Sequence, residues 1–262
     1  MNGSASASLI LMVLLGLLHT SVARGQLAAP NREGKPVNQL AVSGNACGPA
    51  ALLTSSTLAS PRWQEIPRGL PGKDDRARLG YVIKQYGGRP SKHLNGRPRW
   101  NHKNGISLVD LTDVANEMRN GRRLPELEWE VLLPRERESE LGLFKRTHSR
   151  LSKSLQRGFP PIVGLQRLAH RKSGAQKTWA TVYGHFIVIT ELPRKLDRNA
   201  QTFPVRYADP WGGAVRTGQL RIVKYPGLSA VVAELPESQV GRRLLRKGEQ
   251  SVVIVSSGLG DF

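Results

Sequence analysis

Two different hydrophobic periodicities occupy separate parts of the chain, and this separation constrains the fold more than any other feature. Up to residue 156, apolar residues recur mainly at helical spacing, in segments starting at Cys47 and covering 74–86, 107–120 and 139–156, with one alternating, strand-like run at 127–133. Afterwards, β-rich runs alternate with turn signals, at 161–165, 179–192, 203–208, 230–235 and 251–255. This order predicts an α+β fold, with N-terminal helices packed on a mainly antiparallel β-sheet.

The first 25 residues are predicted to be an export signal. Their apolar run, Leu9 to Leu18, is shorter than the ~20 residues that span a bilayer, and small residues follow it. No basic residue precedes the run, so a disordered or membrane-anchoring tail is the alternative. Residues 26–262 are predicted to form a single domain, with a core at 38–215 and a C-terminal β extension at 216–262. An exported protein would be periplasmic or extracellular, and no later segment is apolar enough for a transmembrane helix.

The sequence contains one cysteine, Cys47. A single thiol cannot form an internal disulfide, so the fold must depend on its hydrophobic core. An exposed thiolate is prone to oxidation in an oxidising compartment. Cys47 is therefore buried and inert, paired with another chain, or used chemically.

The net charge of +19, from 39 basic and 20 acidic residues, predicts attraction to anionic polymers or surfaces. The basic residues are spread along the chain, and no recognisable nucleic-acid-binding module interleaves them with aromatic residues. We therefore predict no specific nucleic-acid partner. The sequence also contains no zinc signature and no phosphate-binding glycine loop, so no metal or cofactor is predicted.

Three short segments carry residues suited to nucleophilic catalysis. Cys47 lies at a predicted helix start, where the helix dipole stabilises a thiolate. His185 begins an apolar strand, and its neutral ring can accept the thiol proton. Asp209 ends a strand before a turn, where its carboxylate can orient that ring. Each segment alone is also compatible with a purely structural role, but the order Cys, His, Asp and the separation of 185 − 47 = 138 residues favour a common site.

These segments resemble a known family. Cys-Gly-Pro-Ala-Ala-Leu at 47–52, Gly-His-Phe-Ile-Val-Ile at 184–189 and Asp-Pro-Trp-Gly-Gly at 209–213 are similar to the motifs of the double-glycine-leader peptidases and their secreted relatives. These are papain-like cysteine peptidases that include the processing domains of bacteriocin exporters. The resemblance spans roughly residues 38–215.

The resemblance implies a papain-like fold and cleavage of peptide bonds in a peptide or protein substrate, without a metal. It assigns Cys47 as nucleophile, His185 as base and Asp209 as third member of the triad. The family usually has a glutamine six positions before the cysteine that helps to bind the oxyanion, but residue 41 is alanine here. Gln39, eight positions before Cys47, is the preferred substitute, and Asn45 is the alternative.

Two other functions remain open at this point. A catalytically weak or inactive papain-like protein that recognises anionic partners would also explain Ala41 and the positive charge. An acyl or peptidyl transferase would use the same residues, because a thioester intermediate can pass to an amine instead of water.

Overall fold

A computed structural model describes residues 25–173, 176–238 and 240–262. The predicted export signal lies outside the described residues except for Gly25. The described chain is α+β, as predicted, with a mainly antiparallel sheet. Its five α-helices are α1 (Cys47–Leu58), α2 (Pro61–Arg68), α3 (Asp75–Val82), α4 (Leu108–Met118) and α5 (Glu140–Gln156).

Ten strands accompany these helices in the described residues. They are β1 (Gln26–Ala28), β2 (Trp100–Asn101), β3 (Gly105–Ile106), β4 (Glu128–Val131), β5 (Ile162–Ser173), β6 (Gln176–Pro193), β7 (Thr202–Asp209), β8 (Ala214–Tyr225), β9 (Leu228–Glu234) and β10 (Ser251–Gly260). All except β2 and β3 belong to one sheet, whose main order is β1-β6-β5-β10-β9-β8-β7. Strand β6 also pairs with β7, so β5 to β10 form a closed ring of antiparallel pairs, with β4 added to β10.

Side-chain caps determine where three of the helices begin. Ser107 and Ser139 each accept a hydrogen bond from the backbone N–H three residues later, and Asp74 does the same for α3. The predicted helix at 74–86 is α-helical only to Val82 and continues as a π-helical turn, Ile83–Gly87. The predicted stop at Ser60 is present, but Pro61 also starts α2, because proline is favoured in the first turn of a helix.

Two hydrophobic clusters lie on opposite faces of the sheet. Ile162 and Val188 belong to the cluster that buries helices α1 to α4, whereas their neighbours Val163 and Ile187 belong to the cluster that buries α5. Successive strand residues point to opposite faces, so this alternation places the two sets of helices on the two sides of β5 and β6. The N-terminal helices therefore pack on the sheet as the sequence predicted, but α5 covers its other face.

The segment at 89–105, predicted as a surface loop, is partly ordered by a short hairpin. Strands β2 and β3 pair through Trp100↔Ile106 and Asn101↔Gly105. The side chain of Arg99 is 3 % exposed and donates a 2.8 Å hydrogen bond to Glu117 in α4. This segment is therefore packed against the helical layer over part of its length.

The C-terminal residues continue the same sheet. The predicted boundary at residue 215 falls inside β8, which pairs with β7 along eight residues from Thr202 to Asp209. Strand β10 pairs with β5, which lies next to β6 in the sheet. Residues 216–262 thus complete the ring of strands that surrounds the second core cluster.

No helix within the described ranges is both long and apolar enough to cross a membrane.

Candidate active site

Cys47 is the first residue of α1 and is mostly buried. The first N–H groups of an α-helix have no carbonyl partner within the helix, so this end carries a partial positive charge. Cys47 lines a cavity of about 400 Å³ together with residues of β5, β6, β10 and the β2–β3 hairpin. The sulfur therefore lies at a helix N-terminus that faces an open cavity.

His185 lies in β6, directly opposite Leu165 of β5. Its side chain is 2 % exposed, and its Nε2 lies 2.8 Å from Oδ1 of Asp209. Strand β7 brings Asp209 into place, because Ala208 pairs with Val188 in β6. The same Asp209 oxygen accepts a 2.9 Å hydrogen bond from the backbone N–H of Trp211. The pairing of β7 with β6 and the Trp211 N–H thus hold the Asp209 carboxylate in the orientation that contacts the His185 ring.

The second ring nitrogen of His185, Nδ1, is buried and has no hydrogen-bond partner among the described residues. Cys47 lies close enough to the ring to change the pKa of His185. Since Nε2 is occupied by Asp209, the other edge of the ring is available to the thiol. The structure therefore brings together Cys47, His185 and Asp209, which are distant in the sequence.

The protonation of His185 is controlled by opposing effects. Burial lowers its pKa, but the hydrogen bond to Asp209 and the nearby Cys47, together with the charges of both groups, outweigh burial and raise the pKa from 6.5 to about 9. The site therefore favours a protonated ring at neutral pH. An imidazolium beside a sulfur stabilises the thiolate, which is the nucleophilic form of cysteine.

This raised pKa leads to a prediction about stability. A group whose pKa is higher in the folded state stabilises the fold below its unfolded-state pKa of 6.5, and this contribution is lost as pH rises through about 9. We expect the unfolding free energy of the protein to decrease across this interval. Urea unfolding at several pH values measures the unfolding free energy of the native protein and of the His185→Gln variant. If the difference between these two free energies does not change with pH, the prediction is contradicted.

The two oxyanion candidates occupy different environments. Gln39 begins a 3₁₀ turn, Gln39–Ala41, and is fully buried; its Nε2 donates a 2.5 Å hydrogen bond to the Gly44 carbonyl. Its backbone N–H donates to the carbonyl of Pro210, next to Asp209. This turn therefore connects the chain before Cys47 to the end of β7.

Asn45 instead connects the helix start to the β2–β3 hairpin. Its side-chain amide donates to the carbonyls of His102 and Lys103, at 2.8 and 3.0 Å, and its own backbone carbonyl accepts from the indole of Trp100. Asn45 also lines the cavity that contains Cys47. Both amide hydrogens of Asn45 are engaged by the hairpin, whereas the Gln39 amide donates one hydrogen bond, to the Gly44 carbonyl.

The glycine after Cys47 allows the hairpin to approach α1. A Cβ atom at Gly48 would overlap Cγ2 of Ile106 and would lie 3.5 Å from the ring of Phe186. We expect Gly48→Ala to lower the unfolding free energy by about 1–3 kcal/mol, because overpacking forces neighbouring atoms to move. At Gly80 in α3, a Cβ atom would have no neighbour within 4 Å, so Gly80→Ala is the control and should stabilise by about 0.5–1 kcal/mol.

Chemical denaturation of both variants measures these changes. If Gly80→Ala lowers the unfolding free energy as much as Gly48→Ala does, close packing beside Cys47 does not explain the destabilisation of the Gly48→Ala protein.

Several residues of the site were not identified from the sequence. Tyr183 borders both Cys47 and His185, and burial together with the nearby Cys47 raises the pKa of its hydroxyl. Ser256 and Ser257 of β10 line the same cavity. Tyr183 lies two residues before His185 in a strand, a spacing that places both on one face, but the contribution of β10 depends on long-range strand pairing.

A separate cluster of possible metal ligands lies between the 89–105 segment and α4. Ligand atoms of His93, Asp110 and Asp113 all lie within 4.8 Å of one another. The guanidinium of Arg99 is 4.0 Å from Asp113, and its pKa is raised first by the hydrogen bond to Glu117 and then by the charges of Glu117, Asp113 and Asp110. Because His93 contacts Asp113 at 3.2 Å and the buried Arg99 lies beside the aspartates, we interpret the cluster as a polar network that attaches the segment to α4.

No protein-family model matches the sequence, and no curated protein matches it significantly.

Proposed function

We propose that this chain is a cysteine-type peptidase or amidohydrolase with a Cys47–His185–Asp209 triad. The observation that carries the proposal is the position of His185, which contacts Asp209 through Nε2 and has its other edge beside Cys47. A base held between a thiol and an orienting carboxylate is the arrangement that nucleophilic catalysis requires. We extend the proposal to the fold, which we infer to be papain-like.

In the first half of the proposed reaction, the Cys47 thiolate attacks the carbonyl carbon of an amide and forms a C–S bond. The imidazolium of His185 then donates its proton to the leaving nitrogen as the C–N bond breaks. The products of this step are an amine and a thioester on Cys47. The raised pKa of His185 supports this role, because the ring is protonated when the thiolate is present.

In the second half, a water molecule gives a proton to the now neutral His185 and attacks the thioester. The C–S bond breaks, a carboxylic acid leaves, and the thiolate–imidazolium pair is restored. Asp209 accepts the Nε2–H of His185 throughout and stabilises the imidazolium whenever it forms. We propose a peptide or protein as substrate and an exported, periplasmic or extracellular, location for the enzyme.

A catalytically weak or inactive binding protein on the same scaffold is the second candidate. One observation favours it: the Nε2 of Gln39 is already bonded to Gly44, and Ala41 occupies the position where the similar family has its oxyanion glutamine. The net charge of +19 would then attract anionic polymers or surfaces.

Mass spectrometry of a complex peptide pool distinguishes the two candidates. The native protein is expected to generate new peptide termini that the Cys47→Ala protein does not generate. Identical peptide maps from both proteins, together with salt-sensitive binding to a polyanion that is unaffected by Cys47→Ala, would reject the enzyme and favour the binding protein. Ligated products in place of cleaved ones would identify a transferase.

Replacement of Gln39 tests the oxyanion assignment. We expect Gln39→Ala to lower kcat by about 10²–10³-fold, the usual effect of removing one such donor. The matched change Asn45→Ala should mainly release the β2–β3 hairpin and raise KM, because its amide binds that hairpin. Steady-state kinetics on a cleaved peptide measures both; a kcat loss confined to Asn45→Ala would transfer the oxyanion role to Asn45.

A further inference from the structure

A second cavity, of about 220 Å³, borders His185 and Asp209 but not Cys47. It shares Tyr183 and His185 with the cavity that contains the thiol. The two cavities are therefore neighbours that both border Tyr183 and His185, and only one of them is lined by Cys47.

The far side of this second cavity is formed by residues 240–244, which we call the C-terminal turn. Gly241 has a φ of +58°, and a Cβ added to it would lie 2.6 Å from Cβ of Tyr183. The guanidinium of Arg167 in β5 donates to the carbonyl of Val240, and Arg242 donates a 2.8 Å bond to the carbonyl of Pro236. These contacts fix the C-terminal turn against β6, directly beside the catalytic candidates.

The cavity combines an apolar lining with a cation. Trp211, Val240 and Leu244 supply apolar surface, and Arg243 lies at the same cavity. Among the described residues, no carboxylate lies within 4.0 Å of the Arg243 guanidinium.

The acidic residues that flank the C-terminal turn are already paired. Glu237 binds Arg216, and Glu249 accepts a 2.6 Å bond from Arg171. Arg242 is close enough to Arg167 to lower the pKa of Arg167, after the larger effect of burial. Asp209 also lines the cavity, but its Oδ1 is paired with His185 and accepts the Trp211 N–H, so Arg243 is the lining charge without a carboxylate partner among the described residues and would favour a bound carboxylate electrostatically.

The chemistry of the triad indicates which part of a substrate enters this cavity. His185 must protonate the leaving amine, so the leaving segment lies against the His185 ring, whereas the acyl segment is attached to the sulfur. A cavity that borders His185 but not Cys47 is thus on the side of the leaving segment.

We propose that this cavity selects substrates whose leaving segment is short and carries an apolar side chain followed by a carboxylate, with Arg243 as the residue that determines this specificity. The inference rests on the proposed function for its orientation, since only a cleaved amide has a leaving segment. Its carboxylate preference rests on the cavity alone. The carboxylate comes from an acidic side chain or from the free C-terminus of the substrate.

Binding measurements on the full-chain Cys47→Ala protein test the carboxylate preference without cleavage. Three short peptides with a free N-terminus and a leucine are compared by calorimetry: one with an aspartate and an amidated end, one with an asparagine and a free carboxylate, and one with an asparagine and an amidated end. We expect one or both carboxylate peptides to bind about 2–5-fold more tightly than the neutral peptide at low salt, because Arg243 is exposed and an exposed ion pair is partly screened by solvent. Comparison of the first two identifies the source of the carboxylate.

Variants at Arg243 complete the test. Arg243→Gln should remove the preference, Arg243→Glu should reverse it, and Arg246→Gln, in the same basic segment but outside the cavity lining, should leave it unchanged. Equal binding of all three peptides, or a preference that survives Arg243→Glu, would overturn the carboxylate site.

Cleavage by the native protein separates this inference from the proposed function. Substrates that carry the same three leaving segments should show the same order in kcat/KM. Carboxylate-dependent binding without any cleavage would reject the proposed function and the leaving-segment orientation but would retain the site. Cleavage that ignores the leaving segment would reject the inference and retain the enzyme.

Discussion

Replacement of His185 by glutamine is expected to reduce kcat by about 10⁶-fold, which is the size of effect seen when the base of a catalytic triad is removed. The side chain of His185 is 2 % exposed and lies between Asp209 and Cys47, and in the described residues no other imidazole lines the cavity of Cys47. Glutamine retains much of the volume and a hydrogen-bond donor for Asp209, but it cannot take up and release a proton at neutral pH.

A buried histidine outside the site provides the matched control. His148 in α5 is also buried, lies 2.8 Å through Nε2 from the carbonyl of Pro193, and has its pKa lowered by burial. His148→Gln should change stability but not kcat. Turnover and circular dichroism of both variants are compared; a His185→Gln protein that retains more than about 1 % of native kcat would remove His185 from the mechanism.

Replacement of Asp209 by asparagine has the second largest expected effect, a loss of about 10⁴-fold in kcat. The amide oxygen can still accept the backbone N–H of Trp211, so the turn after β7 is preserved. The negative charge is lost, however, and with it one of the contributions that raise the pKa of His185 to about 9. The imidazolium of the variant is therefore expected to lose its proton at lower pH.

The pH dependence of kcat/KM distinguishes orientation from a general loss of structure. In the native protein, activity should decrease on the alkaline side near pH 9, and in Asp209→Asn this limb should move to lower pH. Asp197→Asn, an exposed position between β6 and β7, should change neither kcat nor the limb. An alkaline limb that stays in place in Asp209→Asn would show that this carboxylate does not control the ring.

The α+β arrangement could be predicted because α4 and α5 each bury one regular face, because α1 consists of small or apolar residues, and because apolar strands follow the helices. The N-terminal limits of α4 and α5 were also predictable, since Ser107 and Ser139 have side chains that satisfy the first N–H groups of a helix. Strand β8 was not predicted: its exposed positions include Thr217 and Gln219, its inner face carries Arg216 opposite Tyr207, and much of it is only partly buried. Its place depends on pairing with β7 and β9 rather than on its own hydrophobicity.

The three triad candidates could be chosen from local chemistry, but their surroundings could not. Ser256 and Ser257 reach the cavity only because β10 pairs with β5, about 90 residues earlier in the chain. The C-terminal turn contains Gly241 and Arg243 in a segment without regular periodicity, so nothing in the sequence connects it to His185. The position of Gln39, the preferred oxyanion candidate, is also set by a 3₁₀ turn, a local geometry that residue spacing does not specify.

The rate at which iodoacetamide alkylates Cys47, measured from acid to alkaline pH, tests the existence of the thiolate–imidazolium pair without any knowledge of the substrate. We expect the native protein to react faster than free cysteine below about pH 7, and His185→Gln to lose this advantage, because the pair titrates as a unit. Equal rate profiles for the native protein, His185→Gln and free cysteine would contradict the proposal that His185 activates Cys47.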